Sequence, residues 1–202
     1  MSTSVAERRS AIHGMWAAVA QQWALHAEET DRRVAPITAA IWAGTPVRAG
    51  DRVLELACGA GGLGLEAARR VGSAGKVVVS DVVPEMVAAA NHRAVMAALA
   101  NVETRTLDLE SIEEPDGRYD VVLCREGLMF AVQPQQAVAE LRRVLRPGGR
   151  VGLSVWGPRA DNPWLGLVLD AVSAQLGHPV PPPHVPHPFA LGDRDQLAAL
   201  LS

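Results

Sequence analysis

The chain has 202 residues, 49% hydrophobic and 4% aromatic, enough for one domain with a sizeable core. A net charge of −3, from 19 Lys and Arg against 22 Asp and Glu, argues against a general nucleic-acid-binding surface. No apolar run approaches the roughly 18 residues of a membrane span, the opening "MSTSVAERRS" lacks a secretory core, and two cysteines in no metal-ligand pattern fit a reduced compartment, so a cytoplasmic location is expected.

Residues 5–27 place Ile12, Met15, Trp16, Val19 and Trp23 at three- and four-residue spacing, which predicts an amphipathic helix. A second helix is expected over 31–42, with Thr30 or Asp31 as its cap and Gly44 and Pro46 beyond its end. Strand and helix patterns then alternate: strand 52–57, helix 62–71, strand 76–80, helix 84–100, strands 102–107 and 119–124, helix 134–146 and strand 150–156. This alternation predicts an α/β fold with a parallel sheet covered by helices on both faces. Pro84 suits a first helical position, and "RPGG" at 146–149 suits the stop of the helix before it. Beyond Trp156 follow a loop, a helix over 164–176, a stretch "GHPVPPPHVPHP" too proline-rich for helix or central strand, and a helix over 193–200.

The most specific stretch is "DRVLELACGAGGLGLEAARRV", residues 51–71, which reads as a buried strand, a glycine turn and a helix start. Such a turn offers bare backbone N–H groups and the positive end of a helix dipole to a nucleotide-like ligand. Gly59, Gly61 and Gly64 spell G-x-G-x-x-G, and Asp81 ends the next strand, where an acid can accept from ribose hydroxyls. On those residues alone a nicotinamide-dependent dehydrogenase stays open. Glu55 stands inside the first strand, where a parallel strand is normally apolar, and a carboxylate there must bind something. It can hold donors of the glycine loop or reach through water to a cationic ligand group.

With "VLELACGAGG", "VVVSDVVPEMVAAA", "TLDLES", "YDVVLCREGLMF", "LRRVLRPGGRVGLSVWG" and "DNPW" in that order, the chain resembles the class I S-adenosylmethionine-dependent methyltransferases over about residues 10–202. Within them it is most similar to the group that includes the ubiquinone/menaquinone biosynthesis methyltransferases. The resemblance implies a Rossmann-like, doubly wound sheet, S-adenosyl-L-methionine as cofactor and a small-molecule methyl acceptor. It implies that Glu55, Ala57, Gly59 and Gly61 surround the methionine part, with Cys124 and Arg125 closing that side. Asp81 would take the ribose hydroxyls and Val82 would lie against the adenine, with Met86 in the same cofactor set; Asp108 and the Leu109 backbone would read the adenine edge. The implied division is 1–45 as helices covering the acceptor site, 46–157 as the cofactor-binding core and 158–202 as loop and helices of the same domain. Ala57 departs from the glycine many relatives carry there.

The family's sheet has seven strands, the last two a hairpin, and five are accounted for here. That leaves strand 150–156 as an edge for a second copy or a swapped element to cover, or marks a shortened chain; a homodimer over this edge is one expectation. Trp16 and Trp23 are core residues or a lid over the acceptor. Cys58 and Cys124 read as packing rather than nucleophiles, and His178, His184 and His187 as a surface loop rather than a metal cluster. His13, His26 and Glu126 are candidate acceptor-side bases for which a structural or solvent-facing role is the plainer reading. A methyl-transferring enzyme and a non-catalytic cofactor-binding module are both compatible with these residues.

Overall fold

The computed structural model describes residues 4–182 and 185–202. Its centre is a five-stranded, wholly parallel sheet in the order β3-β2-β1-β4-β5. The strands are β1 (Arg52–Glu55), β2 (Lys76–Asp81), β3 (Val102–Thr106), β4 (Tyr119–Arg125) and β5 (Leu145–Ser154). The helices are α1 (Val5–Leu25), α2 (Ala27–Arg33), α3 (Ala35–Gly44), α4 (Gly62–Val71), α5 (Pro84–Met96), α6 (Pro134–Val144), α7 (Pro163–Leu176) and α8 (Arg194–Leu201).

The valine-rich strands are buried on both faces because helices cover both. Side chains alternate along each strand, so odd positions Val53, Val77, Val79, Val121 and Leu123 join Leu63, Ala67, Val71 and Ala90 in one core, with Ile41 of α3 beside them. Even positions Leu54, Leu56, Val78, Val122 and Cys124 form the other with Val138, Leu141 and Val144 of α6. The order reverses between β1 and β4, and that switch point opens a crevice at the carboxyl ends of those strands. Glu55, Asp81 and Arg125 each end a strand facing it.

The N-terminal region departs from the two helices expected. The chain breaks at His26 and again at Val34, giving three helices, because Pro36 sits in the first turn of α3 and cannot continue a preceding ladder. Helix α5 stops at Met96 instead of 100, ending where Ala98 adopts φ +52°. Strand β5 begins at Leu145, paired with Tyr119, before a register shift that absorbs "RPGG" and resumes at Val121 with Arg150; the stop signal thus bends a strand start rather than forming a separate loop. As expected, Pro84 is the first residue of α5 and β5 lies at the sheet edge. Among the described residues no helix is long and apolar enough to cross a membrane.

Helix α4 carries the glycine loop at its N-terminus, and its far end is fixed by Asn101, whose side-chain amide donates to the carbonyls of Ala68 and Gly72 at 2.9 Å each. Asn101→Ala leaves both carbonyls without that donor, and a loss of about 1–2 kcal/mol is expected from the urea unfolding midpoint at unchanged m-value.

Candidate functional site

Local geometry at the glycine loop follows from the strand register. Glu55 occupies an odd position of β1 and therefore faces α4, where its Oε2 accepts from the Gly64 N–H at 2.9 Å. That N–H belongs to the first turn of α4, which has no side-chain cap of its own, so the strand carboxylate supplies the missing acceptor. Burial raises the Glu55 carboxyl to about 8, while Arg125 and the Gly64 N–H pull it down. Asp81 spans the loop from the other side: Oδ2 accepts from Gly59 N–H at 2.9 Å and Oδ1 from Val83 N–H at 3.0 Å. Burial likewise raises its carboxyl, with these N–H groups and His13 opposing.

Three backbone positions in the left-handed region shape this loop. Ala57 has φ +52°, Gly59 +54° and Gly61 +84°. A left-handed alanine is strained where a glycine would not be, so the alanine at 57 is held by its surroundings rather than by preference. At Gly59 a Cβ would meet the Trp23 indole at 3.5 Å, an ordinary van der Waals contact that shows α1 lying over the loop.

These elements enclose a cavity of about 250 Å³. Of the residues singled out in the sequence, Glu55, Ala57, Gly59, Asp81, Val82 and Met86 line it on the β1–β2 side, and Asp108, Leu109 and Arg125 join them. Gly61 and Cys124 do not. Gly61 is a packing glycine, since a Cβ there would lie 2.8 Å from Ala90 Cβ of α5. Cys124 sits at an even position of β4 and faces the α6 core, where burial pushes its thiol up to about 12. Cys58 does line the cavity, and burial raises its thiol well above the ordinary range, so neither cysteine is set up as a nucleophile.

The rest of the lining is aromatic and helical, and its α1 part lies directly on the β1–β2 side, with Trp16 and Trp23 packed in one cluster with Val82, Val83 and Met86. His13, Trp16 and Trp23 of α1, Arg33 of α2, Glu126, Met129 and Phe130 after β4, and Trp156 after β5 all line the cavity. Trp16 packs edge-on against both Trp23, at 5.8 Å, and Phe130, at 4.9 Å between ring centres. The two tryptophans are therefore lining residues as well as packing ones. His26 is exposed beside Glu29 and away from the cavity. His184 lies outside the described residues, and no group of three metal-ligating side chains occurs among those described.

Several supports left no usable signal in the sequence. Asp31, expected as a helix cap, instead pairs with Arg93 at 2.6 Å and Arg125 at 3.6 Å. Arg93 also donates to the Ala60 carbonyl at 2.8 Å, and Arg125 to Thr38 Oγ1 at 2.8 Å, so α2, α3, α5 and the glycine loop are tied into one charged cluster. Arg9 of α1 reaches Glu110 at 2.5 Å and Asp108 at 3.4 Å, while Glu110 also accepts from Val132 N–H at 2.6 Å. Partners so far apart in the chain produce no local pattern.

Residues 53–149 match a methyltransferase domain family. The chain is 31% identical over 182 residues to an uncharacterized protein of Mycobacterium tuberculosis, covering 89% of this chain and 63% of that one. It is 36% identical over 128 residues to the ubiquinone/menaquinone biosynthesis C-methyltransferase of Azotobacter vinelandii, covering 63% of this chain and 50% of that one. The chain thus spans between one half and two thirds of the length of these curated relatives. Among solved structures, a SAM-dependent methyltransferase from Aquifex aeolicus aligns with a TM-score of 0.57 at 25% identity, over 66% of this chain and 77% of that one. The YcgJ protein of Bacillus subtilis shares the fold, with a TM-score of 0.60 at 23% identity over 81% of this chain and 64% of that one.

The Glu55–Gly64 contact depends on the absence of a side chain at 64. A Cβ there would collide with Glu55 Oε2 and lie 2.6 Å from Val79 Cγ2. Gly64→Ala is expected to destabilise the protein by about 1–3 kcal/mol in urea unfolding, whereas Gly14→Ala, inside α1 with open space around it and ordinary helical backbone, should cost nothing.

Proposed function

We propose, from the premise that this chain belongs to the class I S-adenosylmethionine-dependent methyltransferase family, that it transfers a methyl group from S-adenosylmethionine to a small, partly apolar metabolite. The observation that carries the reading is one cavity at the switch point that joins the glycine loop and Asp81 to aromatic side chains, Trp16 and Trp23 from α1, Phe130 after β4 and Trp156 after β5.

The residues present fit the cofactor by donor chemistry. Asp81 is a carboxylate at the crevice, suited to vicinal hydroxyls. Val82 and Met86 are apolar surfaces beside it, suited to a purine face, with Asp108 and Leu109 at its edge. Arg125 brings a cation to one end of the cavity, suited to a ligand carboxylate, and Glu55 there gives up its proton to pair with a ligand ammonium. When bound, S-adenosylmethionine supplies a methyl group on a cationic sulfur, already activated for displacement. The chain's own task is alignment and exclusion of water: the loop and its carboxylates are fixed before any ligand arrives, and Trp16, Trp23, Phe130 and Trp156 cover the cavity. The exposed edge of β5 supports a second copy as a pairing partner.

Calorimetric titration with S-adenosylhomocysteine and, separately, NAD tests the assignment. The expected result is binding of the first and no heat from the second. Asp81→Ala should weaken S-adenosylhomocysteine by about 10–150-fold, the worth of one charge-assisted hydrogen bond. NAD binding without S-adenosylhomocysteine binding would sink the reading.

A pH series tests the methionine end. The Glu55 carboxyl is raised to about 8 and is therefore mostly protonated in the empty pocket at pH 6. A ligand ammonium beside it favours the ionised form, so binding releases a proton. Affinity should then rise by about tenfold per pH unit from 6 to 8 and level off above. In Glu55→Gln that slope should disappear.

A further inference from the structure

Five carboxylates line the cavity, Glu55, Asp81, Asp108, Glu110 and Glu126, and four have partners that account for them. Glu55 caps α4. Asp81 holds the glycine loop. Asp108 accepts from the Glu110 N–H at 2.8 Å and faces Arg9, and Glu110 is shared between Arg9 and the Val132 N–H. Glu126 alone has neither a backbone N–H nor an arginine within bonding distance of its carboxylate among the described residues; its partner is the Trp156 side chain.

Its backbone is also held at a cost. Glu126 has φ +56°, a conformation that a non-glycine residue adopts only when its surroundings impose it, and such residues concentrate at functional sites. What imposes it is visible: its N–H donates to the Ser154 carbonyl at 2.9 Å, continuing the β4–β5 ladder. The next residue, Gly127, has no room for a Cβ beside Ala57 and 2.9 Å from Cys124 Sγ. The turn therefore delivers the carboxylate to the cavity beside Trp156, with Arg125 and Arg33 as its charged neighbours.

Resting on the methyl-transfer reading, we propose that Glu126 is the catalytic base of this site and that the acceptor presents a hydroxyl group to it. The acceptor oxygen bonds to the methyl carbon, the carbon–sulfur bond breaks with its electron pair going to sulfur, and the hydroxyl proton passes to the Glu126 carboxylate. The products are a methyl ether, S-adenosylhomocysteine and a protonated Glu126. A hydroxyl becomes strongly acidic as its oxygen is alkylated, so a carboxylate is a sufficient base for it. An amine attacks in its neutral form and leaves a stable ammonium, so a base serves it before the methyl transfer and takes no proton during it. Burial raises the Glu126 carboxyl, toward the operating range of a base, against the opposing charges of Arg125 on β4, Arg33 on α2 and the Trp156 hydrogen bond.

The test follows S-adenosylhomocysteine release with a panel of phenols, catechols and aliphatic alcohols, each paired with its O-methyl ether. Expected are turnover of at least one hydroxyl compound, none of the ethers, and an acid limb in the kcat profile. Glu126→Gln should lower kcat by about 10²–10⁴-fold, abolish the acid limb and keep S-adenosylhomocysteine affinity within about twofold. Independently of turnover, the pH titration of Trp156 emission, taken as the difference from Trp156→Phe, should be present in the wild type and absent in Glu126→Gln. Glu126→Gly, which relieves the left-handed backbone, should be folded, at least as stable, and equally slow. Retention of kcat in Glu126→Gln within about threefold would overturn the proposal. So would a panel in which S-adenosylhomocysteine binds but no hydroxyl compound is methylated. Failure of S-adenosylhomocysteine to bind would instead remove the methyl-transfer reading beneath it.

Discussion

A carboxylate in the dry interior, accepting from a helix N–H at the end of the first strand, sets the terms for everything around it. Glu55 is 2% exposed, and taking a carboxyl out of water at that depth is costly unless its acceptors are used. Its use is the Gly64 N–H. That contact requires glycine at 64, fixes where α4 starts relative to β1, and forces the intervening residues through left-handed backbone at 57, 59 and 61. Asp81 makes the matching contact from β2, so two strand ends jointly determine the loop. The alternating side-chain faces of a parallel sheet supply the rest, since Glu55 and Asp81 both fall on the face that α4 and α5 cover.

Much of this architecture was legible in the sequence because it is written locally. Runs such as Val77–Val79, bounded by Gly75 and by Pro84, carry strand and helix starts within a few residues of each other. The glycine loop and Asp81 likewise announce themselves by spacing. Two site expectations failed to reach the cavity for a reason the same rules contain: Cys124 lies on the opposite face of β4 from Leu123 and Arg125, and Gly61 answers to the closeness of α5. Neither fact is available without knowing which helix covers which face.

The N-terminal helices were the least legible part. Their break at Val34 is signalled by Pro36, but the charged cluster that orients them joins Asp31 to Arg93 and Arg125, across 62 and 94 positions of chain. Isolated exposed pairs contribute little, whereas a partly buried network sharing one carboxylate between two guanidiniums fixes geometry. Here it holds α2 against the loop and leaves Gly62 no space for a side chain beside Asp31.

The bond from Arg9 to Asp108 and Glu110, together with the Trp23 ring over Gly59, makes helix α1 a participant in whatever the cavity holds. Asp108 and Gly59 both touch α1 and line the cavity. The seating of α1 and the binding of an occupant are accordingly linked in free energy, and linkage is reciprocal: an occupant that strengthens the seating of α1 is itself retained more tightly by the same factor. Residues 5–25, which lie outside β1 and β2 and touch the glycine loop through Trp23, thereby acquire a share in how long a molecule remains inside.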